Sequence, residues 1–208
     1  MEEFGQDERV VALPTLGRQR TLVTLPEAQT SELVSLCEVL CQEGYTTWSV
    51  TPDQVDTAVE LMQVFGRRAR FGVQDVADAA AVRRMAKAGA AFVSSRLLLP
   101  KLVKAVPDFP VILGGATPTE LAAGLDAGAA AVQLWPADGY TQRSAAGLMA
   151  LLGGRPVIAA GELDPEANTE WLRAGAAGVW PVGLTDALAL GDALADVRDL
   201  LHWWRPAQ

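Results

Sequence analysis

Few residues of this 208-residue chain are of a type and placement that could do chemistry. Gln133 sits inside the apolar run AAAVQLWPADGY (129–140). A buried amide without hydrogen bonds costs about 1–3 kcal/mol, so a side chain of this kind needs either a protein partner or a ligand. Ser49, in TTWSVTPD, occupies a comparable place in an earlier apolar run. Asp53, Asp75, Asp138, Glu162, Asp164 and Asp186 each fall just past a short hydrophobic stretch. Together they form either an acidic rim or a set of helix caps. A rim would bind a divalent metal or a cationic ligand, or supply a general base. Caps accept the first helical N–H bonds, which suits aspartate before a helical run. Thr117-Pro118-Thr119-Glu120 reads as a capping box with proline in the first turn, and Glu162 is the carboxylate that capping explains least.

Nucleophiles are scarce. The chain has three lysines, Lys87, Lys101 and Lys104, all on helical patterns flanking the fourth apolar run. Cys37 and Cys41 lie four apart on a helical face with Leu33, Leu36 and Leu40, as small core residues would. With one histidine, His202, a cysteine–histidine metal site is not expected. Trp48 and Trp171 read as packing residues, while Trp135 and Trp180 close their apolar runs and are placed to line a pocket. Arg143 reads as a solvated surface residue. Trp203 and Trp204 end a helix with Leu194, Val197, Leu200 and Leu201 at helical spacing, and are expected to dock it or to form a subunit contact.

These residues depend on a repeated element. EGYTTWSVTP (43–52), AGAAFVSS (88–95), AGAAAVQLWP (127–136) and AGAAGVWPVG (174–183) share a helix end, a glycine and a strand. Glycine suits the left-handed cap that ends a helix before a strand. TLVTL (21–25), RFGV (70–73), PVILGG (110–115) and RPVIAAG (155–161) supply four further strands. Eight strands alternating with helical patterns imply parallel pairing with right-handed crossovers, and the compact solution is a (β/α)8 TIM barrel. Function in such a barrel sits at the C-terminal strand ends. Alternation along a strand turns Trp48, Val50, Val132 and Leu134 toward helices, and turns Thr47, Ser49, Thr51 and Gln133 inward. Gln133 is then expected to hydrogen-bond in a neutral cluster with Ser49, Thr51 or water. Residues 10–208 are expected to form one domain, preceded by a frayed tail over 1–9.

The net charge of −8 argues against a nucleic-acid partner or an anionic membrane surface. No segment is apolar enough to span a bilayer, and the acidic start MEEFGQDERV does not resemble a secretory signal. A cytoplasmic protein with reduced thiols is expected.

The segment VILGGATPTELAAGLDAGAAAVQLWPAD, with TPTE (117–120) and WPAD (135–138), and the segment AGAAFVSS resemble the 2-keto-3-deoxy-6-phosphogluconate and 4-hydroxy-2-oxoglutarate (KDPG/KHG) aldolase family. That family's patterns are a PG turn, TPTE and KxFPAE, and AGAxFxxSP. The resemblance covers the chain after about residue 10. It implies a class I aldolase-like barrel, a homotrimer, no cofactor, and Schiff-base cleavage of small keto-hydroxy acids to pyruvate and an aldehyde. It also implies roles by position. Gln133 stands where the family has its lysine, and Ser49 where it has its proton-shuttling glutamate. Asp53 replaces a substrate-binding arginine, Thr51 is retained, and Asp75 replaces the threonine of GAGT. Gly114, Gly115 and Gly161 match binding turns, but Glu162 follows Gly161 where an anion would bind. Trp180-Pro181-Val182 replaces a glycine-rich phosphate turn, and Pro181 has no N–H to offer.

An amide nitrogen is delocalised into its carbonyl and cannot attack a ketone, so Schiff-base chemistry has no evident nucleophile here. Two readings follow. One is a barrel that has lost lyase chemistry and its phosphate site, and that binds a small molecule such as a keto acid or acts in an assembly. The other is a lyase or isomerase on a small keto or hydroxy acid, with a remodelled, metal-assisted site.

Overall fold

In the computed structural model, residues 11–189 and 194–206 are described. The expected tail at 1–9 and the side chain of Leu194 therefore lie outside the described residues. Among them, all eight expected strands form: β1 (Leu22–Thr24), β2 (Thr47–Val50), β3 (Arg70–Val73), β4 (Phe92–Ser95), β5 (Val111–Gly115), β6 (Ala131–Leu134), β7 (Val157–Gly161) and β8 (Gly178–Pro181). They pair in sequence order, all parallel, and a parallel bridge from Thr21 to Val179 joins the last strand back to the first. The architecture is a (β/α)8 TIM barrel.

The helices are α1 (Thr30–Glu43), α2 (Val55–Phe65), α3 (Ala79–Ala88), α4 (Pro118–Asp126), α5 (Gln142–Leu151), α6 (Pro165–Ala174), α7 (Val182–Ala189) and α8 (Leu194–Trp203). The four repeat glycines, Gly44, Gly89, Gly128 and Gly175, all have positive φ where a helix turns into a strand. The crossover from β4 to β5 departs from the pattern, carrying only a 3-10 helix, Pro100–Ala105. Pro100 and Pro107 bracket too few residues for a full α-helix.

Period-two alternation divides the side chains as the sequence implies. Trp48 and Val50 pack with Phe65, Leu61 and Phe71 beneath the helices, and Val132 and Leu134 pack with Leu121 and Leu148. Leu22, Phe92, Ile112, Ala131 and Ile158 fill the barrel interior. Gly72 exists as glycine because a Cβ there would enter the Phe92 ring. This apolar plug is the floor on which the next inward layer stands.

Several expected helix caps are displaced. Asp164 accepts from the Ala167 N–H, and Thr117 with Glu120 forms the capping box, as read from sequence. The cap of α3, however, is Asp78 and not Asp75, and Thr51 rather than Asp53 caps the 3-10 turn Pro52–Gln54 that precedes α2. Asp186 lies within α7. Asp53, Asp75 and Asp186 thus miss the cap positions that Asp164 keeps, which frees Asp75 for another role.

Candidate functional site

One inward position from each of several strands rises above the plug. Thr24, Gln74, Ser94, Gln133, Ala160 and Trp180 reach a cavity of about 310 Å³ at the C-terminal mouth. Asp75, Arg96, Trp135, Glu162, Val182 and Thr185 complete its wall and rim. The cavity is at the small end for ligand sites.

The interior layer is polar and uncharged, and one chain of hydrogen bonds orients it. The indole N–H of Trp180 can only donate, and it gives its proton to Thr24 Oγ1 at 3.0 Å. That leaves the Thr24 hydroxyl to donate to Gln74 Oε1, also at 3.0 Å. Ser49 Oγ, fully buried, lies 3.0 Å from Thr24 Oγ1 and 3.4 Å from Gln74 Oε1. With its carbonyl oxygen so engaged, Gln74 lines the cavity with its N–H₂ end left without a hydrogen-bond partner among the described residues. Gln133 is set the opposite way: its Nε2 donates to the Ser95 backbone carbonyl at 2.8 Å. Among the described residues nothing bonds its Oε1, which is left for the cavity.

Gln133 thus points inward and is neutral, as the register requires, but its partner is the Ser95 carbonyl and not Ser49 or Thr51. Ser49 forms its own cluster with Thr24 and Gln74, across the barrel from β6. Thr51 bonds Gln54 and lies outside the cavity lining. Gly114 and Gly115 do not line it either. A Cβ on Gly114 would collide with the Arg96 backbone carbonyl, so this glycine lets the chain after β4 cross over β5.

The rim carries charge in paired form. Arg96 grips Asp75 with two hydrogen bonds of 2.7 Å, Nε to Oδ1 and a terminal nitrogen to Oδ2. The Arg96 guanidinium carbon also lies 5.0 Å from the centre of the Trp135 ring, within cation–π range. The Asp75 carboxylate raises the pKa of Arg96 further. Arg96 was missed in the sequence, although the signal was available. It occupies the proline position of the AGAxFxxSP pattern, and Asp75 occupies the threonine position of GAGT. The two departures meet as one ion pair.

The turn after β7 is occupied by the protein's own carboxylate. Asp138 Oδ1 accepts the Glu162 backbone N–H at 3.3 Å, and a Cβ on Gly161 would stand 2.6 Å from the same oxygen. Glu162 itself is exposed at the mouth. Lys87, Lys101 and Lys104 are all exposed on helical segments away from the cavity. Among the described residues, no group of three or more His, Cys, Asp and Glu side chains could hold a metal ion, because Asp75, Asp138 and Asp164 each serve a separate partner. Also among them, no helix is long and apolar enough to cross a membrane.

Trp48 and Trp171 are buried in packing, while Trp135 and Trp180 line the cavity. Trp204 docks the last helix and Trp203 is exposed.

Comparisons with known proteins agree with this architecture. The family model for KDPG and KHG aldolase matches residues 15–189. A structure described as native KDPGal shares 20% identity, with a TM-score of 0.78 over 98% of this chain and 95% of that one. The 2-keto-3-deoxy-6-phosphogluconate aldolase of Zymomonas mobilis ZM4, solved with 3-phosphoglycerate, shares 18% identity with a TM-score of 0.77, covering 92% of each chain. The KDPG aldolase of Legionella pneumophila, with pyruvate captured as a covalent carbinolamine, shares 18% with a TM-score of 0.73, over 92% of this chain and 94% of that one. No curated protein sequence matches the chain significantly.

Proposed function

The chain belongs to the KDPG and KHG aldolase family, and from that premise we propose that it keeps the family's barrel as a small-molecule binding site without Schiff-base lyase chemistry. The observation that carries this reading is Gln133. Its amide nitrogen, delocalised and hydrogen-bonded to the Ser95 carbonyl, stands at the place where the resemblance puts an amine nucleophile. Ser49, in the acid/base position, is a buried hydroxyl shared with Thr24 and Gln74, with no carboxylate to move a proton. Phosphate binding has lost its donors as well: Asp138 takes the Glu162 N–H, and Pro181 has none.

A metal-assisted enzyme finds less support, since the rim carboxylates are dispersed among Arg96 and two backbone N–H groups. A homotrimer in the cytoplasm belongs to the same proposal. The free thiols of Cys37 and Cys41 support the compartment, and light scattering tests the trimer. Incubation with pyruvate and borohydride, followed by intact mass measurement, tests the central reading. The expected result is an unmodified chain, and a reduced pyruvate adduct would overturn the proposal.

A further inference from the structure

We propose that the cavity takes a small, uncharged, polyhydroxylated molecule, of the size of a monosaccharide or a six-carbon polyol. This rests on the reading of the barrel as a non-covalent binding site, and it names the ligand chemistry.

Three polar groups on residues that line the cavity have no protein partner among the described residues. Ser94 Oγ is the first: the residue is 1% exposed, it lines the cavity, and its hydroxyl has no hydrogen bond within the protein. Buried hydroxyls of this kind are uncommon and call for an explanation. The second is the Gln74 N–H₂, left over once the Trp180–Thr24–Gln74 chain has engaged the amide oxygen. The third is Gln133 Oε1, left over once the amide nitrogen has bonded to Ser95.

The set therefore contains one donor, one acceptor and one hydroxyl able to do either. A ligand hydroxyl also both donates and accepts, so neighbouring hydroxyls satisfy all three. A carboxylate or phosphate only accepts, so it would leave Gln133 Oε1 facing another oxygen. An ammonium only donates, and it would meet the Gln74 N–H₂.

Charge points the same way. No ionised group lies in the interior layer. The Arg96 charge is neutralised by the bidentate Asp75 carboxylate, and its guanidinium carbon lies over the Trp135 ring, 5.0 Å from the centre. Glu162 adds a negative charge at the mouth, which disfavours anions and offers an acceptor to a rim hydroxyl. Trp180, Trp135 and Ala160 supply the apolar wall against which the C–H face of a polyol packs. The cavity of about 310 Å³ equals roughly ten waters at ~30 Å³ each, room for a ligand of about a dozen heavy atoms.

The test is calorimetry and thermal shift with D-ribose, D-glucose and sorbitol, against gluconate and glucose 6-phosphate as anionic counterparts. Polyols stabilise folded proteins in general by exclusion from their surface, so the readout is the difference between the wild type and Ser94→Ala. Ser94→Ala removes an unpartnered hydroxyl and should fold as well as the wild type. The expected result is saturable binding of at least one neutral probe and about tenfold weaker binding by Ser94→Ala or Gln74→Leu. The matching anion should bind more weakly than the neutral probe. Tighter binding of the anions, equal shifts in wild type and Ser94→Ala, or no binding across the panel would each overturn the inference. The borohydride experiment separates the two proposals. No adduct with a flat panel defeats the ligand class alone, while an adduct defeats the non-covalent reading beneath it.

Discussion

Gln133→Lys places an ammonium where the wild type holds a neutral amide, and its cost can be worked from the surroundings. The position is 3% exposed, and the groups at its level are Ser94, Gln74, Thr24 and Trp180, none of them charged. Burial without a counter-ion favours the neutral amine. Deprotonating a lysine of ordinary pKa at pH 7 costs about 4.6 kcal/mol, at 1.36 kcal/mol per unit from about 10.4. The Ser95 carbonyl still accepts one N–H, which returns about 1 kcal/mol. The variant should therefore lose about 3–4 kcal/mol at pH 7, a Tm drop of roughly 6–16 °C for a chain of this size. The pH dependence provides the sharper signature. The folded-state pKa of the new lysine is lowered, so the unfolded chain keeps a proton that the folded chain has released. Stability must then rise with pH from neutrality toward the ordinary lysine value, closing the gap to the wild type. Urea unfolding at intervals from pH 6 to pH 10 reads this directly. A penalty below about 1 kcal/mol that does not change with pH would mean that Asp75 or Glu162 already stabilises a cation there, and would refute the neutral interior.

Other outcomes follow from the same structure. Gly72→Ala drives a methyl into the Phe92 ring beneath the cavity and should cost about 1–3 kcal/mol, measurable as a lower urea midpoint. Glu120 bonds the backbone N–H groups of Ala116 and Thr117, which hold its pKa below the ordinary 4.5. Its contribution is present above that value and lost as the pH falls through the lower folded one, so Glu120→Gln should flatten the acid limb of a Tm-against-pH curve while wild type keeps it. Burial pushes the Cys37 thiol up to about 12, so a thiol reagent at pH 8 should modify it in the native protein far more slowly than in urea.

The barrel was legible because its signals are local and repeated. A glycine cap followed by a short apolar run marks four of the strands, short apolar runs between them mark the other four, and alternation within a strand fixes which side chains turn inward. Gln133, Trp135, Trp180 and Glu162 reach the cavity for that reason, whereas Asp75 has the outward parity of Val73 and meets the rim where the backbone after β3 takes a positive φ. Their partners were not legible. Ser49 and Gln133 share an inward face but belong to β2 and β6, on opposite sides of a closed barrel. The carbonyl that Gln133 finds comes from the end of β4, a meeting that depends on the path of the chain across Gly114. Arg96 escaped notice because an arginine after a strand resembles any surface arginine until its ion pair with Asp75 is seen. The aspartate caps slipped because Asp53, Asp75 and Asp78 all precede helices at plausible distances, and only backbone geometry selects among them.

Non-covalent ligand binding in this member of an aldolase family rests on the missing amine nucleophile at Gln133. Intact mass after pyruvate and borohydride tests it most directly, with Gln133→Lys run beside the wild type. The expected result is an unchanged mass for the wild type and, where the variant folds with a neutral amine, a reduced pyruvate adduct on the variant. An adduct on the wild-type chain, mapped to Lys87, Lys101 or Lys104 and formed at the rate of a specific site, would contradict it.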